Sequence, residues 1–185
     1  MKIHYSTPFS TEKNIGKAYN EFMETVPEGD FVCLRDGDTL FLRPDWGKQI
    51  DAIIKDNAHK FKLISCVTNR LRADHQLYNN RFSNDGNISN HLNIANDLYE
   101  MYYDEVLPTS YVAGLCLIFN KDTWKAVGGF RENSILFDKE FNTDIRAKFG
   151  GNPIGIAKGL YLFHLYRWGS KDPYNDTQHL KTTTL

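Results

Sequence analysis

The chain lacks an excess of charge of either sign: 22 Lys and Arg stand against 23 Asp and Glu, a formal net charge of −1. A near-neutral chain generates no long-range positive field, which removes the usual footprint of a nucleic-acid-binding domain. Cysteine is scarce. Cys33, Cys66 and Cys116 are too few and too scattered for a disulfide framework or a cysteine-rich zinc site. Each lies in an apolar run, as buried thiols of a reducing compartment do. No stretch approaches the ~18 continuous apolar residues of a membrane span. The opening Met1-Lys2-Ile3-His4-Tyr5 carries no signal-peptide hydrophobic region, so the expectation is a cytoplasmic domain. On that expectation the sequons at Asn87 and Asn175 have no route to glycosylation. Repeats, low-complexity tracts and internal linkers are absent too. The 185 residues therefore read as one domain over residues 1–170 with a polar tail over residues 171–185.

What is present is ordinary globular material. Apolar residues make up 41% and charged residues 24%, which argues against disorder. A chain of this length buries roughly 70% of its unfolded surface and needs no staples to fold. Tyr, Phe and Trp are plentiful, enough to line a sugar or base pocket as well as a core.

Hydrophobic spacing gives the organisation. Residues 2–6 read as a strand, followed by a helix capped by Ser10 or Thr11 that carries Ile15, Ala18, Tyr19, Phe22, Met23 and Val26 on one face. Phe31 to Leu34 is a buried strand, residues 45–57 a helix, and Lys62 to Thr68 another strand. This alternation predicts an α/β layer fold. Residues 69–90 are polar and read as a long loop, functional or mobile. Asp85-Gly86-Asn87 within it has the residue types of a calcium loop but no ligand ladder, and reads as a turn. The remaining pattern predicts a helix over residues 91–106, a strand from Tyr111 to Phe119 and a short helix from Asp122 to Val127. A helix over residues 137–149 and strands at residues 154–156 and 160–165 complete it.

Three features carry chemistry. Asp36-Gly37-Asp38 follows a buried strand directly, where open α/β sheets gather ligands. Two carboxylates separated by one glycine can turn toward a divalent cation, Mg²⁺ or Mn²⁺; alone, the same residues make an ordinary solvated turn. His164 interrupts an aromatic strand and is followed by Arg167, whose guanidinium suits phosphate. Alone, it reads as a hydrogen-bonded core or edge histidine. Gly128-Gly129-Phe130 precedes Asp138-Lys139-Glu140, so a carboxylate stands at a helix start after a flexible glycine pair. Helix termination and capping explain those residues as well.

In chain order these pieces resemble the family 2-type glycosyltransferases of the GT-A fold. Asn14 to Asn20 resembles that family's helix beside the nucleotide, and Phe31 to Asp38 its strand leading to the Asp-x-Asp metal motif. Gly128-Gly129-Phe130 with Asp138 is similar to its Gly-Gly-Phe segment and acidic catalytic motif, and Leu160 to His164 to a late metal-binding strand. The resemblance spans residues 2–168. It implies a Rossmann-like three-layer sandwich around a mostly parallel sheet. It also implies transfer of a sugar, a hexose or N-acetylhexosamine, from a nucleotide-diphosphate donor, UDP-sugar first, to an acceptor hydroxyl with inversion. Asp36, Asp38 and His164 would hold the metal, Mn²⁺ or Mg²⁺. Asp138 would be the base, with Glu140 the alternative because the motif reads Asp-Lys-Glu. Such enzymes open with two strands and an Asp-rich turn, whereas here one strand leads almost directly to the helix. Base recognition then falls to Ser6, Thr7 and Pro8, supported by Asn14, Gly16, Asn20, Asp36 and Arg167. Asn69, Arg70, Gly128, Gly129 and Trp168 would meet the sugars, and Trp124 is a further stacking candidate. A domain this small admits an acceptor site completed by a second subunit. Two other readings stay open: a metal-dependent nucleotidyltransferase, and a non-catalytic nucleotide- or glycan-binding module on a transferase scaffold.

Overall fold

The computed structural model describes residues 2–166 and 168. Its sheet is built from β1 (Ile3–Ser6), β2 (Phe31–Arg35), β3 (Thr39–Phe41), β4 (Leu63–Thr68), β5 (Val106–Thr109), β6 (Cys116–Asn120) and β7 (Ile154–His164). The helices are α1 (Ile15–Thr25), α2 (Trp46–Asn57), α3 (Ile88–Tyr102), α4 (Lys121–Val127) and α5 (Phe137–Phe149). Strand order is β1-β2-β6-β4-β7-β3, with β5 pairing along the first half of β7. β1, β2, β4 and β7 point one way, while β3, β5 and β6 oppose them. The sheet is therefore mixed, with antiparallel β6 between the two parallel pairs.

Period-2 alternation divides the strand side chains between two cores. Val32, Leu34, Leu117 and Phe119 pack with Tyr19 and Met23 of α1, Leu98 of α3 and Phe141 and Ile145 of α5. Cys33, Cys116, Ile118, Ile64 and Cys66 face Ile50, Ile53 and Ile54 of α2 on the other side. All three cysteines are buried and free, as their apolar settings predict. Helices flank the sheet on both faces, giving the expected α/β layering.

Several elements differ from the sequence reading. The N-cap of α1 is Asn14, whose side chain accepts the Lys17 N–H, while Ser10 Oγ accepts the Asn14 N–H one turn earlier. The expected loop at residues 69–90 is folded rather than loose: it contains two 3₁₀ turns and buries Leu71, Ala73, Gln76 and Leu77. Asp85 accepts the Asn87 N–H, and Asn87 caps α3, so Asp85-Gly86-Asn87 is turn and cap chemistry. That helix ends at Tyr102, where Tyr103 takes a positive φ, and Val106 begins β5 instead of closing a helix.

The last strands form one, β7, with a bulge. Cys66 pairs with Ala157 but Val67 pairs with Tyr161, so Lys158, Gly159 and Leu160 are extra. The bulge reverses the alternation: Ile154 and Ile156 share a face with Tyr161 and Phe163. Gly159 sits where a Cβ would lie 2.4 Å from the Tyr103 carbonyl oxygen, which accounts for the glycine.

α1 is stitched to the 128–133 segment. Asn14 exchanges hydrogen bonds with Asn133, and Asn20 Oδ1 accepts from the Phe130 N–H and from Trp124 Nε1. At Gly16 a Cβ would stand 2.1 Å from the Arg131 carbonyl oxygen. Gly→Ala inside a helix ordinarily stabilises by up to ~1 kcal/mol. Here the added methyl must push α1 off this segment, so Gly16→Ala is expected to destabilise by about 1–3 kcal/mol in urea denaturation. A stabilised variant would contradict the close approach.

Candidate metal centre and active site

β2 runs straight into the Asp36–Asp38 turn, and the turn is held from several sides. Asp36 N–H donates to the Leu115 carbonyl at 3.0 Å. Arg35 donates to the Thr39 carbonyl at 2.7 Å and Thr39 Oγ1 at 3.1 Å, while Thr39 Oγ1 donates to the Asp36 carbonyl at 2.6 Å. Antiparallel pairing of β3 with β7 sets Thr39 opposite His164, and Leu165 N–H donates to the Asp38 carbonyl at 2.9 Å. The turn and the end of β7 are thus bound together by backbone. One ligand atom each from Asp36, Asp38 and His164 lies within 4.8 Å of the others.

The imidazole has a defined orientation. Nδ1 lies 2.8 Å from the Arg70 carbonyl, an acceptor only, so Nδ1 carries the proton. Nε2 then faces Asp38 Oδ1 at 3.2 Å. A neutral imidazole would set its lone pair against a carboxylate there, and a proton or a cation resolves the conflict. With a proton on Nε2 as well, His164 donates to Asp38 and holds its carboxyl below the usual carboxylate range. Burial pushes Asp36 up to about 7; His164 opposes the rise, while Asp38 and Asp138 add to it. Two carboxylates and one imidazole nitrogen match a divalent ion in charge, and the mixed O/N donor set suits Mn²⁺ better than Mg²⁺. These residues fit such an ion.

Asp138 stands in the first turn of α5. The segment before β6 explains its placement: Val112, Ala113 and Gly114 donate their N–H groups to Asn142 Oδ1, Gln76 Oε1 and Asp138 Oδ2. Side chains take the place of a ladder, so the expected strand from Tyr111 begins only at Cys116. Gly114 lets the two segments approach, since a Cβ there would lie 3.2 Å from Asp138 Cβ, tighter than ordinary contact. Burial raises the Asp138 pKa, against the lowering effect of the Lys139 and Gly114 N–H groups. Glu140 is two residues on, about 200° around the helix. It cannot share the face that Asp138 turns to Gly114.

No protein-family model matches this chain, and no curated protein does.

Ser6 and Thr7 line a cavity of about 370 Å³ with Arg35, Thr39, Phe41 and Trp46. Trp46 stacks on Phe41 at 4.4 Å and meets Tyr5 edge-on at 4.9 Å, so the first residue of α2 joins the two edge strands. Thr7 reaches the Asp36–Asp38 turn as well: a Cβ on Gly37 would lie 3.6 Å from Thr7 Cγ2. Pro8 follows, half-buried. Asn14, Gly16 and Asn20, expected beside a nucleotide, instead hold the 128–133 segment to α1. Gly128 caps α4 in the left-handed region, and Gly129 is pressed against Asn20 and Trp124, so these glycines serve packing. Trp124 is buried and bonded to Asn20. Asn69 and Arg70 are buried beneath His164 and not at an open mouth. Trp168 is half-exposed, whereas Arg167 and the tail over residues 171–185 lie outside the described residues.

Sequence reading missed Tyr19. It reads as a core position of α1, yet its hydroxyl is close enough to Asp36 and Asp138 for both to raise its pKa, after burial itself. Helical periodicity hides such a residue, since one side chain serves core and site together.

A proton bound to Asp36 in the folded state between about pH 4 and 7 is absent in the unfolded chain. Stability therefore falls as pH rises through that window. Asp36→Asn removes the effect, so in chelator the variant gains on wild type, by up to a few kcal/mol, between pH 4 and 8. Denaturant titrations check this; a constant difference would contradict the burial of Asp36.

Proposed function

We propose that the chain is a metal-dependent glycosyltransferase that moves a sugar from a nucleotide-diphosphate donor, UDP-sugar first, to an acceptor hydroxyl with inversion. The observation that carries this reading is the meeting of Asp36, Asp38 and His164 at one end of the sheet, with the raised carboxyl of Asp138 close enough to act on Asp36. Asp36, Asp38 and His164 would hold the ion. A bound divalent cation supplies neutralisation of the diphosphate as charge develops on it.

The chain's own residues do the rest. The cavity bounded by Ser6, Thr7 and Trp46 adjoins the metal turn through Thr7 and offers hydroxyls and an aromatic wall to a nucleoside. Arg35 stiffens that wall through Thr39. Asp138 takes the acceptor's proton at a carboxylate oxygen. A carboxyl with raised pKa is the stronger base, and its anchoring by Gly114 fixes where the acceptor must stand. In-line attack with inversion requires the donor's anomeric carbon to be presented toward Asp138. The nucleotidyltransferase reading would use the same metal residues but needs no base at Asp138.

Asp138→Asn is therefore the decisive variant. Donor turnover, as transfer or as hydrolysis of UDP-sugars, should fall at least about 100-fold while Mn²⁺-dependent UDP binding is retained. Glu140→Gln should stay near wild type. Full turnover in Asp138→Asn would remove the assigned base, and loss only in Glu140→Gln would move it.

A further inference from the structure

The strongest unabsorbed feature of the molecule is the network under His164. Asn69 turns both ends of its amide on the histidine backbone: Oδ1 accepts the His164 N–H at 2.8 Å, and Nδ2 donates to the His164 carbonyl at 3.2 Å. Arg70 holds His164 and Tyr166 from two sides. Its carbonyl holds His164 Nδ1 at 2.8 Å, and its Nε donates to the Tyr166 carbonyl at 2.8 Å. The same guanidinium donates to the Ser83 carbonyl at 3.2 Å and to Asn84 Oδ1 at 2.7 Å. It lies 4.4 Å from the Phe82 ring centroid and 5.0 Å from that of Trp168. Gly86 backs the assembly, since a Cβ there would meet the Trp168 ring at 2.8 Å. Asn69 and Arg70 are each 1% exposed, and His164 is 2% exposed.

A charged side chain this deeply buried is costly unless its donors are met, and here Nε and Nη1 find three oxygen acceptors. The network leaves the histidine backbone and ring one arrangement, with Nε2 toward the Asp36–Asp38 turn. Hydrogen bonds of this kind, behind a metal-binding imidazole, fix its tautomer and direction. We infer that Asn69 and Arg70 are positioning residues: they hold His164 ready for the ion and tie it to the 82–86 segment and Trp168. The sugar contacts expected of them are set aside, because both side chains are spent beneath the site. The inference rests on the metal-site reading for its consequence, but the held imidazole is a property of the metal-free protein.

The test uses Mn²⁺ alone on the full chain, with free ion counted by electron paramagnetic resonance. Asn69→Ala and Arg70→Lys should each weaken Mn²⁺ binding about tenfold or more. Neither should weaken it further in a His164→Ala background. Arg70→Lys keeps the buried charge and the stem, so it serves if Asn69→Ala does not fold. Equal weakening with and without His164, or unchanged affinity in a folded variant, would overturn the inference. A second readout needs no metal: nitrogen-15 spectra of wild type should show the His164 proton on Nδ1, exchanging slowly, and faster exchange in either variant. A wild-type protein without Mn²⁺ affinity would overturn the metal reading. The spectra then decide the clamp by themselves, and a proton on Nε2 alone, or exchange unchanged in both variants, would overturn it.

Discussion

The hydrogen bond from His164 Nδ1 to the Arg70 carbonyl is the contact on which the candidate site depends. It assigns the proton of the imidazole and leaves Nε2 to face Asp38. Fold-level features converge on that one bond. The bulge over residues 158–160 resets the alternation of β7 before His164, pairing with β3 brings Thr39 opposite it, and Leu165 ties β7 to the Asp38 carbonyl. Without the bulge, the positions of β7 after it would exchange faces, and Tyr161 and Phe163 would leave the core they fill.

The site concentrates negative charge in a chain that is otherwise balanced. Asp36, Asp38 and Asp138 gather at one end of the sheet, with the Tyr19 phenol close enough to respond to two of them. Burial raises Asp36 and Asp138, and only Asp38, half-exposed and bonded to the imidazole, is held low. Such an arrangement costs stability at neutral pH unless a cation joins it, which is the usual signature of a site built for binding and not for folding. The division of roles follows from surroundings. Carboxyls that meet the imidazole are suited to an ion, and the one anchored by the Gly114 amide is suited to a proton.

The layered fold was legible because its signals are local and repetitive. Buried strands at Phe31 and Lys62, the helices over residues 46–57 and 137–149, and the glycines closing α4 and α5 announce themselves by period and punctuation. β3 and β5 did not: the three residues of β3 carry too little alternation to register, and Pro108 inside β5 argues against a strand. The direction of β6 is set by tertiary pairing, which no local pattern encodes. At the site, Asp36, Asp38 and His164 were visible as residue types, and the structure adds their proximity. Asn14, Gly16, Asn20 and Gly129 were visible too, but their work is to fasten α1 to the 128–133 segment. Asn69 and Arg70 looked like loop polars available to a ligand. Only the distances show that they face inward.

The central claim is that one ion, held by Asp36, Asp38 and His164, joins a nucleotide diphosphate to this sheet end. Calorimetric titration of UDP and GDP, each with and without Mn²⁺, tests it most directly. The account predicts that one nucleotide binds only when Mn²⁺ is present, and that Asp38→Ala abolishes the binding. Nucleotide binding of equal strength in chelator, or no binding of either nucleotide with Mn²⁺, would contradict it.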